Sequence, residues 1–392
     1  MYLGSLGNDN MKQNIVKGQD KIKSKPIKKR INIQLLIIVS FLLLLGALMI
    51  FSAGYPHARL HYGDGFYYIK RHLIFLVIGA LIMVFLSRVK IELIKKISPI
   101  FYGVCALLLV AVLFTGFSEG VAKRWLGIPG TPLSFQPSEL MKLGVILMLS
   151  WYIEKTKASK RSVLREIILP GVILFSACGL VLLEKHLSGT VILAMIGASV
   201  LFVSGINLKR AGLIYGGTGI IGASVFLLTN SYAMKRIESF FNPNADILSD
   251  KWQTTQGLYA IGSGGLWGLG YFNSRQKYSY VSEPQNDFIF TIWCEEMGFV
   301  GAIFLVALFL VFIWQGYKIA FNAHDTYSSL VAFGIVSQIG IQAFLNMLVV
   351  LDVVPNTGIS LPFFSYGGSS LVILLAEIGI LLSISRNRET II

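Results

Sequence analysis

Charge is scarce in this chain. Of its 392 residues only 14% are charged, against about 25% in a typical soluble domain. That scarcity argues against a disordered chain and against an ordinary cytosolic enzyme. Histidine is rare as well, and His57, His61, His72, His186 and His324 are scattered, which argues against a histidine metal cluster. There are 3 cysteines. Cys105, Cys178 and Cys294 sit in or beside apolar stretches, without metal-ligand spacing or an obvious pairing, and read as small buried hydrophobes. Zinc, iron–sulfur and disulfide chemistry therefore have little support. The chain also lacks G-x-G-x-x-G in a strand context, G-x-x-x-x-G-K-[ST], H-E-x-x-H and G-x-S-x-G. Nucleotide hydrolysis and serine or zinc hydrolase chemistry lose their usual sequence support.

What is abundant is apolar. Hydrophobic residues make up 54%, and the mean hydropathy is +0.68. Ten apolar segments run roughly 33–53, 72–88, 97–117, 138–153, 167–183, 189–205, 210–229, 288–316, 328–350 and 363–385. Most approach the ~20 residues that span a bilayer. The expected class is an all-α integral membrane protein of ten transmembrane helices, with a large outer loop between helices 7 and 8. The first apolar run is too long, and lacks the following small-residue cleavage site, for a signal peptide. The net charge of +14 reads as topology. With the N-terminus inside, cytoplasmic pieces hold 22 Lys and Arg against 6 in the short outer loops, a positive-inside pattern that places both termini in the cytoplasm. Nucleic-acid binding is not expected. Residues 1–32 read as a disordered basic cytoplasmic tail able to meet anionic lipid. Residues 33–386 read as one polytopic domain and 387–392 as a cytoplasmic tail.

Ionisable residues at membrane depth are costly and are candidate functional groups by default. Here they are Glu139, Lys142, Asp287, Glu295, Glu296, Asp352 and Glu377. Glu139 and Lys142, three apart, can pair on one helix face. They serve either as an internal ion pair or as part of a polar cavity that holds an anion. Pro137 suits a first helical turn, and free N–H groups there, with Lys123 and Arg124 upstream, would suit a phosphate or pyrophosphate. Asp287 is either a helix N-cap or a carboxylate at the mouth of an outward cavity. Glu295 would lie about 12 Å deeper along the helix, with Glu296 on the opposite side. The run VPNTGISLPFFSYGGSS (354–370) breaks a span, as either a re-entrant turn or a cavity lining.

Three runs carry a resemblance: KRWLGIPGTPLSFQPSELMKLG (123–144), GSGGLWGLGYFNSRQKYSYVSEPQNDFIFTIWCEEMGFVGA (262–302) and PNTGISLPFFSYGGSSLVILLAEIGILLSISR (355–386). Together they resemble the SEDS family (shape, elongation, division and sporulation), and the likeness covers nearly the whole chain from residue 33. The resemblance implies a peptidoglycan glycosyltransferase of the bacterial plasma membrane. Such a protein polymerises lipid II into a nascent glycan strand, beside a class B penicillin-binding protein and the division or elongation complex. It implies that Asp287 is the essential aspartate, that Arg124 and Trp125 match the first outer motif, and that Ser138, Glu139 and Lys142 line the central cavity. Gln136, Ser274, Gln276, Lys277, Glu283, Ser365 and Tyr366 complete the expected substrate-binding set. No organic cofactor is expected, nor a metal site built from protein ligands. A divalent cation, Mg2+ or Mn2+, is a candidate companion of the substrate pyrophosphate.

Two runs depart from the family pattern. Ser282-Glu283-Pro284-Gln285-Asn286-Asp287-Phe288 lacks the family's His and Thr before the aspartate. Glu184-Lys185-His186-Leu187-Ser188-Gly189 stands where many members read Gln-Pro-Asp-Leu-Gly. The latter run and Cys294-Glu295-Glu296 lean towards division and sporulation members. As a mechanism, Asp287 would act as general base on a sugar 4-hydroxyl attacking C1, with inversion. Arg124, Lys142, Arg275 or Lys277 would face the departing pyrophosphate. On physics alone, the same features also fit a lipid II flippase or a non-catalytic division scaffold.

Overall fold

The structure is a computed structural model that describes residues 31–118, 123–127, 134–157, 162–229, 234, 238–241, 251–356 and 358–386. The expectations for the two tails therefore lie almost wholly outside the described residues. Helices dominate. They are α1 (Ile33–Tyr62), α2 (Tyr67–Arg88), α3 (Ile91–Thr115), α4 (Pro137–Thr156), α5 (Leu169–Leu183), α6 (Leu187–Val203), α7 (Leu208–Thr229), α8 (Trp252–Ser263), α9 (Ile289–Phe321), α10 (Thr326–Val350) and α11 (Gly368–Arg386). The ten apolar segments fall on every one of these except α8, a short helix within the long loop. Among the described residues, seven helical segments are long and apolar enough to cross a membrane; α6 is apolar but shorter.

One element departs from the all-α expectation. A small antiparallel sheet of β1 (Phe117–Ser118), β2 (Lys123–Gly127) and β3 (Ser134–Phe135), in that order, joins α3 to α4. Strands this short carry no periodicity in the sequence, so only the pairing of Phe117 with Trp125 and of Leu126 with Phe135 reveals them.

Local chemistry explains several helix ends. The Asn32 side chain accepts from Leu35 N and starts α1, and Gly63 closes it at φ +72°. Pro137 occupies the first turn of α4. The Asp325 carboxylate accepts from Ser328 N at 2.6 Å and starts α10. Between α4 and α5, Leu164–Ile168 form a π-helical turn.

The core has two parts. One gathers α1, α9, α10, α11 and the 359–364 turn around Phe309, Phe312, Ile335 and Phe364. The other joins α3, α4, α5 and α6 around Leu109, Val145, Leu174 and Val200. α11 lies along α2, while α10 packs against α4, α6 and α9. By contrast α2 and α3 expose large apolar side chains such as Leu81, Phe85, Leu107 and Phe114. Apolar exposure of that extent suits a lipid solvent rather than water.

α9 is broken near its start. Gly298 has φ +67° and ψ −169°, which frees backbone groups at membrane depth that need partners. The 264–270 loop supplies them. Leu269 N and Gly270 N donate to Glu295 O and Glu296 O, and Phe299 N and Val300 N donate to Gly265 O and Leu266 O. The approach is close enough that a Cβ on Gly298 would lie 2.3 Å from Gly268 N. This docking fixes the long loop, and so the start of α9, where Asp287 stands.

Candidate functional site

Asp287 immediately precedes α9. The N-cap position belongs to Phe288, whose side chain cannot accept a hydrogen bond, so Asp287 is not the helix cap. Its backbone carbonyl accepts from Asn346 Nδ2 on α10 at 2.7 Å, and the same amide donates to Ile359 O at 2.6 Å. Asn346 thus pins the Asp287 turn to the broken segment between α10 and α11. Two further bonds tie the same pieces together: Ser365 Oγ donates to Asn286 O at 2.8 Å, and Tyr366 N donates to Gln285 O at 2.8 Å. Gly358, at φ +65°, lies beside the carboxylate, and a Cβ there would come within 3.1 Å of Asp287 Oδ2. Asp287 itself is partly exposed. The turn before it is shaped by Glu283, at φ +46°, whose carboxylate accepts from Asn286 Nδ2 at 2.7 Å.

Beside this turn lies a narrow polar cavity of about 40 Å3, lined by Glu139 and Lys142 of α4, Gln338 and Gln342 of α10, Ser360 to Phe363, Ser365 to Gly367, and Glu377 of α11. That volume holds only one or a few waters. The chemistry of a larger substrate therefore belongs outside it. Lys142 is buried and pairs with Glu139 at 2.9 Å. Its ammonium also donates to Gln342 Oε1 at 2.8 Å, and Gln342 Nε2 holds Ser360 through its carbonyl and hydroxyl, both at 3.1 Å. Gln338 Nε2 donates to Glu377 at 2.7 Å. Each charge at this depth thus has an ion-pair or hydrogen-bond partner, as membrane burial demands. Ser138 is buried at the head of α4 with no partner for its hydroxyl.

The first outer motif meets a different neighbour. Arg124, on β2, donates to Lys185 O at 2.7 Å, and Gln136 Nε2 lies 3.3 Å from His186 Nδ1. Trp125 is half-buried on the same strand. The Glu184–His186 turn is thereby drawn against the entrance of α4. Burial pushes the Glu184 carboxyl up to about 8, with Arg124 pulling the other way. Burial, reinforced by the Arg124 and Lys142 charges, pulls His186 down to about 3. His186 therefore stays neutral, and both Glu184 oxygens are buried without a hydrogen-bond partner.

The long-loop residues divide. Lys277 is fully buried, paired with Glu296 at 3.0 Å, and its ammonium also donates to Phe272 O and Ser52 Oγ. Burial lowers its pKa and Glu296 opposes that shift. Ser274 is buried too, donating its hydroxyl to Glu295, which also accepts from Arg275 N and Gln276 N. Ser274, Gln276 and Lys277 are turned into the fold, away from the polar cavity. Glu295 and Glu296, adjacent on α9, both bond residues of this loop. Asp352 occupies the turn after α10 at φ +56°, where burial raises its pKa.

Sequence reasoning missed Gln338, Gln342 and Asn346. Their spacing of four puts all three on one face of α10, and a polar stripe in a span of high hydropathy was a readable signal. It also undervalued Glu184 and His186. Among the described residues no group of three or more His, Cys, Asp or Glu could hold a metal ion.

The comparisons with known proteins agree with this architecture. The sequence profile of the FtsW/RodA/SpoVE family, described as cell cycle protein, matches residues 33–390. Stage V sporulation protein E of Bacillus subtilis is 39% identical over 359 residues, covering 90% of this chain and 96% of its own. The probable peptidoglycan glycosyltransferase FtsW of Trichlorobacter lovleyi is 34% identical over 371 residues, covering 93% and 96%. The crystal structure of the rod shape determining protein RodA from Thermus thermophilus superposes with a TM-score of 0.68 at 26% identity, covering 92% of this chain and 98% of that one. A chain from a peptidoglycan synthase complex, solved to show the coordination of polymerization and crosslinking, superposes at 0.76 with 25% identity, covering 92% and 99%. With this coverage and its apolar helices, the chain belongs to the FtsW/RodA/SpoVE family, the SEDS proteins, and is a multi-pass protein of the bacterial plasma membrane.

Proposed function

We propose that this protein is a peptidoglycan glycosyltransferase that polymerises lipid II at the outer face of the plasma membrane, with Asp287 as general base. In this reading ten helices span the bilayer, both termini are cytoplasmic, and the Asp287 turn faces outward. The observation that carries it is the placement of Asp287. A partly exposed carboxylate stands on a backbone that Asn346 holds against the 359–366 segment, which itself lines the polar cavity. A carboxylate on a fixed backbone, within reach of solvent, is what proton abstraction needs.

The sugar 4-hydroxyl attacks the anomeric carbon of a second sugar on the face opposite its pyrophosphate. The new C–O bond forms as the C1–phosphate bond breaks, and the configuration inverts. Asp287 accepts the hydroxyl proton. The pyrophosphate leaves with the bonding electrons, and in this reading Arg124 and Lys142 offset its charge, which requires Lys142 to exchange its Glu139 partner for the phosphate. Lys277 takes no part in this account, because its charge is spent inside the fold. A divalent cation would be held largely by the substrate's own phosphates with one or two carboxylates, since the described residues build no protein cage. A class B penicillin-binding protein is the proposed partner, by analogy with the synthase complex that the fold resembles.

The test is polymerisation of purified lipid II by the reconstituted protein, alone and with its cognate partner, under moenomycin to silence other transglycosylases. Glycan strands support the reading. Absence of strands under both conditions, with lipid II crossing the bilayer, would instead make the protein a transporter.

A further inference from the structure

The narrow cavity between α4, α10 and α11 holds a charge that its own side chains do not balance. Its ionisable lining is Glu139, Lys142 and Glu377, two carboxylates and one ammonium. Lys142 is engaged with Glu139 and with Gln342. Among the described residues Glu377 has no ion pair. Its carboxylate accepts from the neutral amide of Gln338 at 2.7 Å. Glu377 is 0% exposed and Gln338 3%, so bulk water solvates neither. Of the buried side-chain nitrogen and oxygen atoms on the residues lining this cavity, two have no hydrogen-bond partner: Glu377 Oε2 and Gln338 Oε1. Both are acceptors.

Two orphaned acceptors and a surplus negative charge define the missing partner. An anion is excluded on both counts. A water could donate one hydrogen to each oxygen, but the charge would remain, and an uncompensated charge at membrane depth is costly. A small positive ion answers both needs. The volume of about 40 Å3 admits such an ion with a water or two and no organic cation. A divalent ion would reverse the net charge rather than cancel it, and Mg2+ gives up its own waters reluctantly. The hydroxyl of Ser370 and the irregular backbone of Ser360 to Phe363 line the same space. Unwound backbone beside polar side chains is a recurring way of holding a monovalent cation within a membrane.

We propose that Glu377 and Gln338 form a binding site for a monovalent alkali-metal cation within this cavity. The site joins α10 to α11, the helices that flank the broken segment carrying Ser365 and Tyr366. Those two residues bond the backbone of Asn286 and Gln285, next to Asp287. A bound cation therefore ties the two helices together and steadies the segment on which the Asp287 turn rests. The site goes beyond the proposed function and does not depend on it, since a transporter or a scaffold with this cavity would carry the same surplus charge.

The test uses the full-length protein in nanodiscs, exchanged into the chloride of N-methyl-D-glucamine, a cation too large for the cavity. Sodium or potassium chloride then replaces it at constant ionic strength and pH, and the melting temperature is read. With at least one of the two metals it should rise by several degrees and saturate, as a ligand of the folded state requires. Glu377→Gln keeps the shape and removes the charge, and it should melt alike in all three salts. Radioactive sodium and rubidium, the latter standing in for potassium, measure binding to the wild type directly. One of them should saturate at a single ion per chain and should not be displaced by N-methyl-D-glucamine. That measurement decides the matter even if Glu377→Gln fails to fold. Equal melting of the wild type in the three salts would overturn the site, as would a rise shared by the wild type and Glu377→Gln. A melting temperature that follows pH and ignores the salts would overturn it too, by placing a proton on Glu377 beside the Glu139–Lys142 pair.

Discussion

Lys277 and Glu296 show how position overrides residue type. Both side chains are wholly buried, and the lysine is further held by Ser52 and Phe272. A buried ion pair adds little stability over an apolar pair, but breaking it by removing one partner is costly. Lys277→Met should therefore lower the stability of the detergent-solubilised protein by about 3–5 kcal/mol, read by thermal or denaturant unfolding, and its activity should fall only with its folded fraction. A stable but inactive Lys277→Met would instead return the lysine to the substrate site. Glu184 makes a second claim at this scale. Its raised pKa means that the folded chain keeps a proton the unfolded chain has already lost. Its contribution is therefore full below the ordinary carboxylate pKa and is lost as pH rises through about 8. His186, lowered by burial, acts in the opposite sense: its contribution is full above the ordinary histidine pKa and is lost as pH falls towards about 3. Glu184→Gln, which cannot titrate, should melt higher than the wild type by several degrees at pH 9 and match it near pH 5. Parallel melting curves across that range would contradict the assignment.

The kink of α9 and the loop docked on it set the Asp287 turn. Gly298→Ala would place a methyl 2.3 Å from Gly268 N at a left-handed φ, so a cost of about 1–3 kcal/mol is expected. The 264–277 loop should also become more open to limited proteolysis, and unchanged cleavage would show that the loop is held by other contacts. Elements of this kind divide what the sequence reveals from what it hides. The apolar segments were legible because lipid demands unbroken apolar helices, and the helices lie on them. Asp287 drew notice because a carboxylate stands at the edge of a long apolar run. The small sheet was not, since strands of two to five residues have too little period to read. The inward turn of Ser274 and Lys277 was hidden for another reason: a lysine in a polar loop looks solvated until the fold places a buried glutamate against it. The stripe of Gln338, Gln342 and Asn346 was present in the sequence, but neutral amides draw less notice than charges although they hold both the cavity and the Asp287 backbone.

For the whole molecule, the account requires that the Asp287 turn lie outside the cell. Of the described helical segments, seven have the length and apolarity to span, and the ten-span topology adds α4, α6 and α7. These three are sheltered by neighbours, shorter, or less apolar. Single cysteines at Ser282 and Lys90, in a background without the three buried native cysteines, test this arrangement in intact cells. A membrane-impermeant maleimide should label Ser282→Cys directly and Lys90→Cys only after permeabilisation; the reverse pattern would invert the topology and remove the site from its substrate. The most direct test of the central claim is the rate of lipid II polymerisation by Asp287→Asn beside the wild type, at equal folded protein and with the same partner. A positioned general base contributes about 10²–10⁴-fold, so the variant should lose at least a hundredfold in rate while keeping its melting temperature. An Asp287→Asn protein that polymerises at the wild-type rate would contradict the account.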